Sequence, residues 1–241
     1  MSELAPFDGE GIESILCVVA HPDDIEYGTA AAVAGWTAAG KRVAYYLLTS
    51  GEAGINDLSP AQCGPAREAE ERASAARVGV DVVEFGGHPD GMVEYGLTLR
   101  RDIARAIRRH RPDLVTTLSR HEMVGSNVNQ ADHRAVGLAV LDATGDAGNR
   151  WVFPELAADE GLEPWSVKAI VFAASPVANE YIDVSDHFED AVASLQEHSR
   201  YLEGLPDDYP SPREILEGIL GGAAENLDGV RYALPLETIR R

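Results

Sequence analysis

Apolar residues come along this chain in short unbroken runs, separated by longer stretches of helical periodicity. Ser14 to Ala20 reads SILCVVA, a β-rich run, and the Ala-rich stretch from Asp24 to Ala39 ends at Gly40, where a helix C-cap is expected. RVAYYLLTSG follows as a second strand, and PAREAEERASAARVGV predicts an amphipathic helix with Pro65 near its first turn. Asp81 to Gly86 predicts a third strand, LTLRRDIARAIRRHRP a helix and Leu114 to Leu118 a strand. A helix over Asp132 to Ala143 and a strand over Val167 to Ala174 continue the alternation. Strands that are apolar throughout, and not only at alternate positions, are strands covered on both faces. The pattern therefore predicts one α/β domain over residues 1–241, Rossmann-like, its mostly parallel sheet carrying helices on both faces. The stretch 145–165 predicts a long loop bordering the site, and the tail from Glu203 is expected to pack back on the domain.

Composition narrows the classes of function. With 241 residues, 45% of them hydrophobic and 25% charged, the chain has the makings of one ordinary globular core. Forty acidic against twenty basic residues give a formal charge of −20, which repels phosphate backbones and anionic lipid, so neither nucleic acid nor a membrane is expected as partner. The simplest reading of that charge is a solvated acidic surface. Two cysteines make no disulfide framework, and no signal-peptide pattern or membrane-length apolar run is present. A cytoplasmic protein is expected, with homo-oligomerisation left open.

The candidate chemistry sits where the first strand ends. Ala20-His21-Pro22-Asp23-Asp24 puts an imidazole and two carboxylates at the carboxyl edge of the sheet, where open α/β sheets bind their ligands. Hydrolytic zinc commonly takes three protein ligands of His and carboxylate type and keeps a fourth position open. His21 and Asp24, three apart across a tight turn, could converge on one ion. Equally, Pro22-Asp23 could be a plain turn with Asp23 or Asp24 capping the helix. A third ligand is available in His133, which follows the strand Leu114 to Leu118 by a Gly/Ser/Asn-containing loop and opens a helix. Taken alone, a histidine there is a structural residue; with the first motif it completes a ligand set.

These motifs in this order resemble the zinc-dependent N-acetylglucosaminyl deacetylases, the LmbE-like or PIG-L family. AHPDD resembles its metal motif, TSGEAG at 49–54 its second-strand loop, Arg67 with Glu70 its Arg-x-x-Glu helix, and HPDG at 88–91 its Pro-Asp-Gly loop. Asp132-His133 resembles its second metal motif, and Tyr181-Ile-Asp-Val-Ser-Asp and His198-Ser199 its closing strand and helix. The resemblance implies His21, Asp24 and His133 as ligands of Zn²⁺, or of Fe²⁺ or Mn²⁺, with Asp23 as general base. It implies Arg67, Asp90 and His198 near the substrate, and an N-acylated amino sugar or its glycoside as that substrate. At Gln130 the family typically has a histidine, so an amide that donates a hydrogen bond but no catalytic proton stands in the catalytic position; Arg200 likewise replaces a Gln. Asp23 or His198 must then return the proton to the leaving amine. Two other readings stand beside deacylation of a sugar: a zinc amidase acting on a thiol-conjugate or other non-sugar amide, and a sugar-binding protein that keeps the metal without turnover. A nucleotide-binding Rossmann domain is disfavoured, because HPDD stands where a Gly-x-Gly-x-x-Gly loop belongs.

Overall fold

The computed structural model of the chain describes residues 4–241. Its centre is an eight-stranded sheet. In chain order the elements are β1 (Ala5–Pro6), β2 (Ser14–Val19), α1 (Thr29–Ala38), β3 (Arg42–Leu47), α2 (Pro60–Arg77), β4 (Val82–Phe85), α3 (Leu97–His110) and β5 (Leu114–Leu118). A small hairpin, β6 (Met123–Val124) and β7 (Asn127–Val128), precedes α4 (Ala131–Gly148). After it come α5 (Glu155–Ala158), β8 (Ala169–Ala173), β9 (Glu180–Asp183), α6 (Phe188–Gln196), α7 (Ser199–Glu203), α8 (Pro212–Leu216) and β10 (Ala233–Arg240). No helix among the described residues is long and apolar enough to cross a membrane.

The sheet order is β1-β9-β10-β8-β5-β2-β3-β4. From β2 the chain steps outward through β3 and β4, then returns to β5 and β8 on the other side, all five strands parallel. The crossovers thus reverse direction between β2 and β5, which opens a crevice at their carboxyl ends. β2 is buried along its whole length. Its side chains alternate between two cores: Ile15, Cys17 and Val19 meet α1 and α6 on one face, and Leu16, Val18 and Ala20 meet α3 and α4 on the other. This is the physical content of the apolar run in the sequence.

Several boundaries depart from expectation. α1 begins at Thr29, not at Asp24, because Asp23 (φ 86°) and Gly28 (φ 142°) hold left-handed backbone that interrupts helical propagation. α2 begins at Pro60 with a Ser59–Gln62 capping box and runs through Pro65, which is in the helix interior and not its first turn. α4 runs on to Gly148, and its last carbonyls are taken by Arg108. The stretch 145–165 does not border the site: it contributes no residue to the site cavity and wraps the end of α3 instead. The tail does pack back, but as a strand that periodicity missed. β10 inserts antiparallel between β8 and β9. Pro235 lies inside this strand although proline lacks a ladder donor. It is tolerated because it pairs only with β9, and pairing with β8 starts at Leu236.

Arg108 is 1% exposed and its guanidinium donates to the carbonyls of Asp146, Ala147, Asn149 and Val152 at 2.8–3.2 Å. Arg108→Ala should leave these carbonyls unpaired and cost about 3 kcal/mol, read from a denaturant melt; a change within about 0.5 kcal/mol would mean water replaces the side chain. The charge of −20 yields a second expectation. Self-repulsion of the acidic surface is screened by salt, so thermal unfolding should move upward between about 10 mM and about 1 M sodium chloride. A melting temperature independent of salt would show that the carboxylates are already compensated.

Candidate metal centre

His21, Asp23 and Asp24 leave the carboxyl end of β2 in a turn that Asp24 itself shapes. One of its oxygens, Oδ2, accepts the backbone N–H groups of Ala20 at 3.0 Å and His21 at 2.9 Å. Asp24 therefore folds back on the strand and does not cap α1, whose N-cap is Gly28 without a side-chain bond. Its other oxygen, Oδ1, lies 3.0 Å from His133 Nε2 at the first turn of α4, and His21 Nδ1 lies 3.7 Å from Oδ2. One ligand atom from each of His21, Asp24 and His133 falls within 4.8 Å of the others. The turn is present and the three side chains converge as well, whereas neither Asp23 nor Asp24 caps α1.

The far nitrogen of each imidazole is occupied. His21 Nε2 faces Asp90 Oδ1 at 3.1 Å and Asp132 Oδ2 at 3.3 Å. These acceptors are themselves pinned: Asp132 takes the N–H groups of Gly91 and Val93, and Asp90 takes that of Ala53 at 2.8 Å. His133 Nδ1 faces Asn129 Oδ1 at 3.1 Å. The Asn129 amide nitrogen donates to the carbonyls of Ser119 and His121, which leaves only its oxygen to meet the ring. Nε2–H of His21 and Nδ1–H of His133 are thus the donors, and the nitrogens left bare are the two beside Asp24. His133 Nε2 is buried without a hydrogen-bond partner. A buried lone pair next to a carboxylate and a second bare imidazole nitrogen fits a divalent cation, and carboxylate or amide partners behind ligating histidines are its usual support.

Charge in the site follows from this geometry. Burial opposes protonation of His21, yet its bonds to Asp132, Asp24 and Asp90 push its pKa up to about 12. Burial likewise acts to raise Asp24, but the two imidazoles hold it well below the carboxylate range. Asp23 is pushed up to about 6, by burial first, with the Arg67 guanidinium opposing and Asp24 adding.

Asp23 stands in the same cavity with left-handed backbone, its N–H donating to Glu71 Oε2 at 3.1 Å. Its Oδ2 lies 3.1 Å from Arg67, which also donates to the Pro22 carbonyl and sits over the Tyr201 ring at 4.1 Å. Arg67 and Asp90 line the cavity as expected, but each is already engaged, Arg67 with Asp23 and Asp90 with His21. Gln130 is the N-cap of α4 and lines the cavity from an exposed position. His198 is not brought to it. It is 0% exposed behind Asp23, with Nε2 3.6 Å from Glu26 and 3.7 Å from Glu71, so substrate contact by His198 is corrected to burial in an internal cluster. On α2, Glu70 accepts the Arg200 N–H, and Glu71 accepts that of Asp23. Asn129, Asp132, Glu71 and the tyrosines 27, 201 and 209 went without roles in the sequence reading. Only Asp132, adjacent to His133, carried a signal there. The cavity is about 700 Å³.

His21, Asp24 and His133 thus form a group that could hold a metal ion at the switch point of an α/β sheet, in a cavity that Asp23 also lines and that has room for a small molecule. The comparisons agree. A family model described as PIG-L, GlcNAc-PI de-N-acetylase, matches residues 16–144. A diacetylchitobiose deacetylase from Thermococcus kodakarensis is 30% identical over 193 residues, covering 78% of this chain and 69% of the relative. The chain belongs to the PIG-L family and is an enzyme of its class, a hydrolase acting on amide bonds. Among solved structures, the N,N'-diacetylchitobiose deacetylase from Pyrococcus horikoshii superposes with TM-score 0.84 at 24% identity, covering 96% of this chain and 85% of that one. A 4-carboxy-2-hydroxymuconate hydratase from Pseudomonas putida shares the fold too, with TM-score 0.73 at 18% identity over 95% of this chain and 97% of that one. One fold therefore carries more than one chemistry, and the site must decide between them.

The histidine supports give a direct test. His21→Ala, Asp24→Ala and His133→Ala should each lose bound metal, whereas Asn129→Ala should keep the ligands and weaken metal affinity about 10–100-fold in a chelator competition. Unchanged affinity in Asn129→Ala would mean that His133 needs no support.

Proposed function

We propose that this protein is a zinc-dependent N-deacylase that removes an N-acyl group, acetyl in the simplest case, from an amino sugar or a glycoside containing one. The observation that carries the reading is that the converging ligand atoms of His21, Asp24 and His133 open on a cavity that Asp23, held by Arg67, also lines together with Asp90. His21, Asp24 and His133 would hold the ion. Bound there, zinc would supply an acidified water and a polarised amide carbonyl.

The chain's own residues do the rest. Asp23 takes the proton of the attacking water, its carboxylate aimed by Arg67 and its backbone by Glu71. With His198 sealed from the cavity, Asp23 also returns that proton to the leaving nitrogen. Gln130, at the start of α4, donates its amide N–H to the developing oxyanion. Arg67 and Asp90 keep free hydrogen-bonding capacity toward sugar hydroxyls, beyond the bonds they make to Asp23 and His21. Tyr201 and Tyr209 give the apolar face that a pyranose ring packs on.

Acetate and free amine should be released from N-acetylglucosamine or diacetylchitobiose by the metal-loaded protein. Release from thiol-conjugate amides alone would transfer the activity to that class, and metal binding without release from either would make the protein a binder. Asp23→Asn should hold its metal and lose about 10²–10⁴ in kcat. Near-native turnover in that variant would hand the base role to another group.

A further inference from the structure

The catalytic cavity does not end at the metal triad. It continues past Leu118 and Ala174 into a second cavity of about 500 Å³ over the carboxyl end of β8 and the start of β10. The two share the walls formed by Tyr27, Leu118, Val124, Ala174 and Ile219. Their chemistry differs. On the β3 and β4 side of the triad the wall carries Asp23, Arg67 and Asp90. The second cavity is lined by no charged side chain; Ala173, Pro176, Leu234 and Pro235 form its floor, and its one serine, Ser175, spends its hydroxyl on Glu237 at 2.7 Å.

An amide has two substituents, one on nitrogen and one on the carbonyl carbon, and the triad sits between two lobes of opposite polarity. A polyhydroxylated substituent loses hydrogen bonds to water unless the protein returns them, so it belongs on the side of Arg67 and Asp90. The carbonyl substituent then points over β8 and β10. We propose that this lobe is an acyl-chain subsite, and that the preferred substrate is an amino sugar whose N-acyl group is longer than acetyl, a medium-chain apolar arm. The inference rests on the N-deacylase reading above. It follows from sheet topology, since the start of β10, paired with β9 just before β10 reaches β8, supplies Leu234 and Pro235 to the lining next to Ala173 of β8. It also assigns a use to the exposed Ile219, 42% accessible at the lip shared by both cavities, as the residue that covers the chain.

The test compares glucosamine bearing N-acetyl, N-butanoyl and N-hexanoyl groups as substrates of the metal-loaded protein, with amine release as the readout. Each buried methylene is worth up to about fourfold in kcat/KM, so a half-open lobe should still favour hexanoyl over acetyl by about tenfold or more. Pro176→Trp and, separately, Ser175→Phe fill the lobe and should bring the hexanoyl-to-acetyl ratio down to about one or below, with folding checked by the melting curve of each. A wild-type ratio at or below one overturns the acyl subsite while leaving deacetylation standing. A wild-type preference that neither folded variant reduces also overturns it, because the chain would then lie elsewhere. Release from none of the three substrates removes the deacylase reading itself, and the subsite with it.

Discussion

The carboxylate of Asp24 divides its two oxygens between the backbone and the site. Oδ2 closes the turn after β2 on the N–H groups of Ala20 and His21, and Oδ1 reaches His133 on α4. That one side chain fixes where His21 points, prevents α1 from starting at the strand end, and ties the first crossover to the fourth parallel strand's excursion. Backbone donors are fixed dipoles, so an oxygen held by two of them does not wander, and its partner oxygen is held in place beside His133. The left-handed residue Asp23 follows from the same turn, and Glu71 on α2 holds its N–H from the other side. Strain of this kind persists where several neighbours hold it in place.

Around this turn the protein gathers far more negative than positive side-chain charge. Asp24, Asp90 and Asp132 face the two imidazoles, Asp23 faces Arg67, and Glu26 and Glu71 surround His198. Isolated buried carboxylates would take up protons instead of staying charged. Here most are met by backbone N–H groups, and Asp23 by Arg67. A divalent cation at His21, Asp24 and His133 would complete that compensation at the point where the carboxylates crowd most closely. The support behind each imidazole fixes which nitrogen is free for it, so the site is prepared by hydrogen bonding before any ion arrives.

The sheet sets the shape of what can bind. Parallel strands aim their carboxyl ends at one crevice, and the polar loops after β3 and β4 line one half of it. The other half would be an edge if the sheet stopped at β8. Instead β10 inserts between β8 and β9, and its first residues, paired with β9, supply Leu234 and Pro235, so the cleft has an apolar end as well as a polar one.

By itself the sequence determined the layered α/β architecture, because strands buried on both faces must be apolar at every position, as Ser14–Val19 is. It also placed His21 and Asp24 three residues apart in a tight turn, so their approach is a local matter. Whether His133 joins them is not local: it depends on the register of β5 beside β2 and on the hairpin between β5 and α4. Asn129, Glu71 and Asp132 have roles only because distant backbone brings an acceptor to a donor, and no period or spacing records that. His198 shows the reverse case, a histidine in a family-like position that packing sealed away from the cavity. β10 stayed hidden because a proline in a strand is permitted or forbidden by which neighbour needs its missing N–H, and only the assembled sheet specifies the neighbour.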